Sequence, residues 1–281
     1  MPSIAEKRRE FRRLHETGCF VIPNPWDVGS ARYLQGLGFK ALASTSAGFA
    51  FTQGLPDGAV SRDMMLTHLH ELSEATDIPV NADFEGGFAD DPAGVAESVQ
   101  LCCRTGVSGL SIEDSTGNPD NPLYDFDLSL ARVRAARAAI DKAGKDVVFT
   151  ARSEGFIRNR PDLPETIRRL KAFADAGADC LYAPGIKTRE DIEAVVSAVK
   201  PKPVNFLMAG AMPFSVTDLE RIGVRRISLG GTLARVAWSA VVHAAREIAT
   251  EGTFTKLGGT ITNAELNGFF RGDMKSRTSK N

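Results

Sequence analysis

Three short stretches of the chain end in side chains that could act together on a charged small molecule. Asp83-Phe-Glu85, Glu113-Asp114 and Arg152-Ser-Glu154 each close or follow a mostly apolar run. A fourth stretch, Ser44-Thr-Ser-Ala47, brings hydroxyls and small residues. Carboxylate oxygens grouped in this way suit a hard divalent cation, Mg²⁺ or Mn²⁺. An arginine facing them suits an anion, because its planar fork matches a carboxylate or a phosphonate. Residues 44–47 can offer backbone N–H groups and hydroxyls to a second anionic group. Taken singly, each carboxylate is also accounted for as a helix cap or an arginine partner. Only the set asks for a site, because capping does not require carboxylates to converge.

Positioning these groups falls to eight β-type runs, at 19–23, 40–44, 79–83, 109–113, 147–151, 180–184, 203–207 and 226–230. They are short and mostly apolar, as expected of strands buried on both faces of a parallel sheet. Helical segments at 28–37, 62–75, 92–104, 130–143, 164–176, 189–199, 216–222 and 233–249 alternate with them. Asp27 and Asp91 are expected N-caps, the second followed by a first-turn proline. Gly144 and Gly177 are expected helix stops. Eight β-α units predict an α/β fold, a (β/α)8 TIM-type barrel. A doubly wound sheet is the alternative, and it leaves the strand count unexplained. No proline-rich linker divides the chain, so 1–281 reads as one domain, with a further short helix at 264–271 and a disordered tail at 274–281. In such a barrel the loops after the strands carry the function, and all four chemical stretches lie there.

Thirty-four basic and thirty-five acidic residues leave a net charge of −1, which disfavours a broad nucleic-acid surface. No apolar run approaches the roughly 20 residues a membrane span needs, and the charged start at 1–13 has no signal-peptide pattern. Cys19, Cys102, Cys103 and Cys180 match neither a zinc motif nor a disulfide framework, and read as free thiols of a cytoplasmic protein. His68 and His70 are two residues apart and cannot share a helix face, so they do not read as a zinc pair. His15 and His243 read as structural. Tyr124 and Tyr182 could serve as acids or as pocket walls.

Six motifs then stand in order along the chain: Asn24-Pro-Trp-Asp-Val-Gly-Ser-Ala-Arg32, residues 41–47, Gly54-Leu-Pro-Asp57, Asn81-Ala-Asp-Phe-Glu-Gly-Gly87, Ser111-Ile-Glu-Asp114 and Thr150-Ala-Arg152. Together, over about residues 24–235, they resemble the phosphoenolpyruvate mutase/isocitrate lyase superfamily. The resemblance implies a (β/α)8 barrel whose eighth helix is exchanged between subunits, in a homotetramer or homodimer. It implies a small-molecule 2-oxo carboxylate, or its enolate, held on Mg²⁺ (or Mn²⁺), and a C–C or P–C bond made or broken beside it. By that resemblance Asp83 ligates the metal, Glu113 holds metal-bound water, and Asp57 lies nearby. Thr45, Ser46 and Ala47 bind the substrate carboxylate, and Arg152 contacts the substrate. Arg152, Asp57 and Glu113 are the expected catalytic groups, with Asn205 a further substrate contact at the seventh strand end.

The sequence departs from that pattern at three places. The usual Asp-x-Asp is Asn81-Ala-Asp83, and Glu85 stands where glycine is usual. Glu85 could restore the lost charge, so it joins Asp83 and Glu113 as an expected metal ligand. The Lys-Lys-Cys-Gly-His of the lyases is replaced by residues 115–124, which hold no cysteine or histidine. The histidine that mutases place after the sixth strand is replaced by Ala183-Pro-Gly185. The expected function is a Mg²⁺-dependent lyase cleaving a C–C bond in a small 2-oxo or 2-hydroxy carboxylate through an enolpyruvate-type intermediate. A P–C mutase or hydrolase of phosphonopyruvate-like substrates, and a non-catalytic 2-oxo-acid binding protein, are the alternatives.

Overall fold

The computed structural model describes residues 2–143 and 146–278. Its strands are β1 (Phe20–Ile22), β2 (Leu42–Ala43), β3 (Val80–Asp83), β4 (Gly109–Glu113), β5 (Val148–Arg152), β6 (Cys180–Tyr182), β7 (Val204–Leu207) and β8 (Arg226–Ser228). Every pairing is parallel, in the order β1-β8-β7-β6-β5-β4-β3-β2. The Ala43 N–H donates to the Pro23 carbonyl at 3.0 Å, which brings β2 against the end of β1. The sheet is therefore a nearly closed (β/α)8 barrel, as the repeat of β-α units predicts.

The helices are α1 (Ile4–Leu14), α2 (Val28–Gly36), α3 (Ser46–Thr52), α4 (Arg62–Ala75), α5 (Pro92–Arg104), α6 (Phe126–Lys142), α7 (Leu163–Asp175), α8 (Arg189–Ala198), α9 (Val216–Ile222), α10 (Thr232–Glu251) and α11 (Asn263–Thr278). Asp27 caps α2 by accepting from the Ser30 N–H, and Asp91 caps α5 by accepting from Ala93 and Gly94. Gly177 ends α7 with a left-handed φ of 99°. Gly144, the expected stop of α6, lies outside the described residues.

Two helices have no counterpart in the periodicity. α1 opens with a Ser3–Glu6 capping box and seats the fully buried Phe11 among Ile22, Ala41, Ala43 and Val148. It covers the end of the barrel where the strands begin. Arg8 reaches the carbonyls of Val107 and Cys103, and Lys7 those of Ser73 and Thr76. Its apolar stripe is too narrow to stand out among its charges. α3 begins inside the 44–47 stretch that sequence reading treats as a loop.

The end of the chain corrects one expectation. α11 runs on past Met274 to Thr278 instead of giving way to a disordered tail at 274. Its Asp273 pairs with the buried Arg32, and its Phe269 ring lies 4.8 Å from that of Tyr33 on α2. These contacts hold the last turns; residues 279–281 lie outside the described residues. α10 buries only Ala234 and Glu247 and leaves Val236, Trp238 and Val241 exposed. All four cysteines are free, and no described helix is long and apolar enough to cross a membrane.

Candidate active site

Strand register assembles the site. Glu113 is paired with Arg152 across β4 and β5, and Arg152 with Tyr182 across β5 and β6. At this rim the Arg152 guanidinium touches three carboxylates: Asp83 Oδ1 at 2.7 Å, Glu113 Oε2 at 3.0 Å and Glu154 Oε1 at 2.9 Å. It also faces the Tyr182 ring, 5.1 Å from the centroid. Glu113 and Glu154 are deeply buried, and burial raises both carboxyl groups above their ordinary range. For Glu113, burial and then the negative charge of Glu154 push it to about 7.

Asp83 is held from the other side by α3. Its Oδ2 accepts from the Ser46 N–H at 3.0 Å and lies 3.0 Å from the Ser46 hydroxyl, which is also 3.4 Å from Asp57. Burial, then the charge of Asp83, raise Asp57. Thr45 is buried and caps α3 through the Gly48 N–H. The 45–47 segment thus lies beside Asp83, and the Ser46 N–H is spent on that carboxylate. Asn205 sits deeper, donating to Ser228 Oγ at 2.9 Å and accepting from Arg226 Nε at 2.8 Å.

Two cavities meet at this point. An outer one of about 590 Å³ is walled by Glu85, Glu113, Tyr124 and Arg158, and an inner one of about 170 Å³ by Asn81, Asp83, Asn205 and Arg226. Ser46, Asp57, Arg152 and Ile157 line both. Residues 115–124 fold over the outer cavity as a tight loop pinned by a Ser115–Leu123 bridge. The Tyr124 hydroxyl donates to Asp90.

Glu85 is the strained member of the set. Its φ of 48° lies in the left-handed region that favours glycine. Its Oε1 is buried with no hydrogen-bond partner. Burial, then Asp83, push Glu85 to about 8. Beside Asp83, Glu113 and Asp57 the group keeps its proton near neutral pH, and a bound cation would favour its ionised form. Asp83, Glu85 and Glu113 do not form a cage, however. Among the described residues no three His, Cys, Asp or Glu side chains are grouped so as to hold a metal ion by themselves. Arg152 stands between Asp83 and Glu113 and bonds to both. The donor set fits a hard cation that takes one or two carboxylates and completes its shell with water and substrate oxygens, as Mg²⁺ does.

Sequence reading did not single out Arg158, Arg169 or Arg226. Arg158 reaches Glu113 at 3.3 Å and borders the outer cavity. Arg169 on α7 pairs with Asp114 at 3.0 Å, while Asp114 accepts from the Glu154 N–H at 2.7 Å. Asp114 therefore sets the Glu154 backbone and does not face the cavity. A charge opening the otherwise apolar run of β8 was the available signal for Arg226.

A parallel barrel whose mouth is lined by carboxylates and arginines is a setting for chemistry on a small charged molecule. Residues 11–249 match the phosphoenolpyruvate phosphomutase family, and the chain belongs to it. It is 31% identical over 267 residues to an oxaloacetate decarboxylase of Paraburkholderia xenovorans (strain LB400), covering 89% of this chain and 84% of the relative. The structure of a candidate lyase/mutase from Burkholderia cenocepacia J2315 superposes with a TM-score of 0.90 at 45% identity, covering 95% of this chain and 96% of that one. Oxaloacetate acetylhydrolase in complex with its product oxalate superposes with a TM-score of 0.84 at 26% identity, over 100% of this chain and 99% of that one.

Proposed function

We propose that the protein is a Mg²⁺-dependent carbon–carbon lyase acting on a small 2-oxo or 2-hydroxy carboxylate through an enolpyruvate-type intermediate. The observation that carries this reading is Arg152, held by Asp83, Glu113 and Glu154 at the junction of the two cavities. Asp83 would hold the cation, with Glu113 and Glu85 holding its water. Bound there, Mg²⁺ supplies Lewis-acid polarisation of the substrate's carboxylate and neighbouring oxygen. Arg152 donates N–H bonds to the C2 oxygen, which gains charge as the bond to C3 breaks. Such a preorganised donor stabilises the charge that develops and costs little reorganisation. The 45–47 segment and Asn205 orient the carboxylate end, and Asp57 sits beside the reacting oxygens. The loop at 115–124 offers no cysteine or histidine acid. That suits a decarboxylation in which CO₂ leaves and the enolate takes its proton from solvent. The relative's decarboxylase activity supports the same choice. This reading takes the chain as one domain, assembled as a homotetramer or homodimer.

Cleavage of a P–C bond is the second reading. Arg158, beside Arg152 on the outer cavity, gives a second guanidinium that a phosphonate could engage.

The purified protein with Mg²⁺ should be assayed with oxaloacetate, 2-methylisocitrate and phosphonopyruvate, following pyruvate, CO₂, phosphate and phosphoenolpyruvate. Pyruvate from either of the first two is the expected result. Phosphate or phosphoenolpyruvate formed from phosphonopyruvate would select the second reading. Oxalate binding without turnover of any of the three would make the protein a 2-oxo-acid binder.

A further inference from the structure

One layer below Arg152 lies an arginine with no acid partner. Arg226 opens β8, is 3% exposed, and lines the inner cavity. Its Nε donates to Asn205 Oδ1 at 2.8 Å, and its Nη2 crosses the barrel to Thr150 Oγ1 at 3.0 Å. Its Nη1 lies 3.2 Å from His15 Nε2. The other nitrogen of His15 is 2.7 Å from the Phe11 carbonyl, which can only accept. His15 Nδ1 therefore carries the hydrogen, and Nε2 accepts from Arg226. Burial, and then the charge of Arg226, push His15 down to about 3, so this partner is neutral.

All three partners are thus uncharged. Among the described residues no Asp or Glu lies within ion-pairing distance of Arg226, whereas Arg32, Arg152 and Arg169 each hold a carboxylate. Arg8 and Arg132 are also buried without one, but their bonds end on main-chain carbonyls and neither borders the inner cavity. A guanidinium has five N–H donors, and three of those on Arg226 are engaged. A charge removed from water without a counter-ion is expensive to hold. A buried guanidinium that lines a cavity and has only neutral partners calls for an anion supplied from outside.

We propose that the inner cavity is an anion site in which Arg226 supplies the counter-charge, and that its occupant is a carboxylate of the small acid bound at Arg152. Asp57 and Asp83 also line this cavity, and Asp83 is paired with Arg152, so Arg226 is the lining cation that no carboxylate neutralises. The proposal rests on the lyase reading only for the class of ligand; the unpaired arginine stands without it.

The test is calorimetric titration of oxalate into the Mg²⁺-loaded protein, with melting temperature as the check on folding. Arg226→Gln removes the charge, and Arg226→Lys keeps it. Asn205→Asp leaves the arginine in place and gives it an internal counter-ion of nearly the same shape. Arg226→Gln and Asn205→Asp should each weaken oxalate by about 10- to 100-fold, the scale of a lost charge-assisted hydrogen bond, while Arg226→Lys retains most of the affinity. A folded Arg226→Gln protein that binds oxalate like the parent overturns the proposal. If that variant does not fold, Asn205→Asp is compared with Asn205→Ala, which removes the same contact without adding a charge, and equal oxalate affinity in the two overturns it. A parent that does not bind oxalate at millimolar concentration also overturns it. Turnover of the substrate panel with oxalate affinity unmoved by the variants ends the anion site and leaves the lyase reading standing. Charge-dependent oxalate binding without turnover does the reverse.

Discussion

Arg152 on β5 lies 2.7 Å from Asp83 on β3 and so ties together two strand ends that are not neighbours in the sheet. The bond crosses over β4, whose Glu113 the same guanidinium also holds. Three carboxylates pull on one planar fork, and the fork is thereby fixed in direction before any substrate arrives. Arg152→Lys keeps the charge but can satisfy fewer of these partners at once. The expected outcome is a loss of roughly 10²–10³-fold in kcat, the scale of removing one preorganised donor to a developing oxyanion, with oxalate affinity changed only a few-fold. A variant with a lowered melting temperature but unchanged kcat would reduce Arg152 to an ion-pair brace.

Glu85 combines a left-handed backbone with an unpartnered buried carboxylate. Glu85→Gly removes both burdens and should stabilise the metal-free protein by about 1–2 kcal/mol, the range for releasing one strained residue. The same variant should bind Mg²⁺ more weakly. A fall in melting temperature would show that the glutamate is a structural asset.

The raised Glu85 carboxyl also sets a pH dependence. Its folded value of about 8 lies above the unfolded one, so the folded state holds the proton longer as pH rises. The associated stability is present in full below about pH 4.5 and is lost as pH climbs through about 8. Thermal melts of metal-free protein across that window should decline, and Glu85→Gln should flatten the decline. An equal slope in both proteins would refute the assignment.

At the acid end a different residue acts. His68 stacks on Phe49 with ring centroids 3.9 Å apart, and its Nε2 has no partner. Burial depresses it to about 4, below the unfolded value of 6.5. The unfolded chain therefore takes up the proton first, and stability falls as pH drops from about 6.5 to about 4. His68→Phe preserves the stack and should lessen this acid slope in urea titrations. If the variant tracks the parent through the whole range, the histidine is not the source.

α10 leaves Val236, Trp238 and Val241 at 63%, 45% and 56% exposure on one helix, an apolar surface that costs solubility unless covered. Light scattering at micromolar concentration should give a dimer or tetramer, and Trp238→Glu with Val241→Glu should shift it toward monomer. A monomeric parent protein would count against helix exchange.

The eight-unit repeat was legible because each strand is a short apolar run and several of the helices between them carry a recognisable cap or stop. Asp27, Asp91 and Gly177 act where their side chains or backbone freedom predict, since capping depends on residues only a few positions away. The same locality put Asp83, Glu113 and Arg152 at strand ends, where a parallel barrel gathers its chemistry. Sequence could not say which carboxylate would meet which arginine. That choice was made by register across β3, β4 and β5, which assigned Asp114 to Arg169 and left Asp83, Glu113 and Glu154 to Arg152. Nor could it show that Glu85 is left-handed and unpaired, because backbone strain and burial arise only when distant segments close around a residue. The solitary charge of Arg226 is the clearest case. In the sequence it is one arginine beside another at the start of a strand, and only barrel closure turns it inward and withholds a counter-ion.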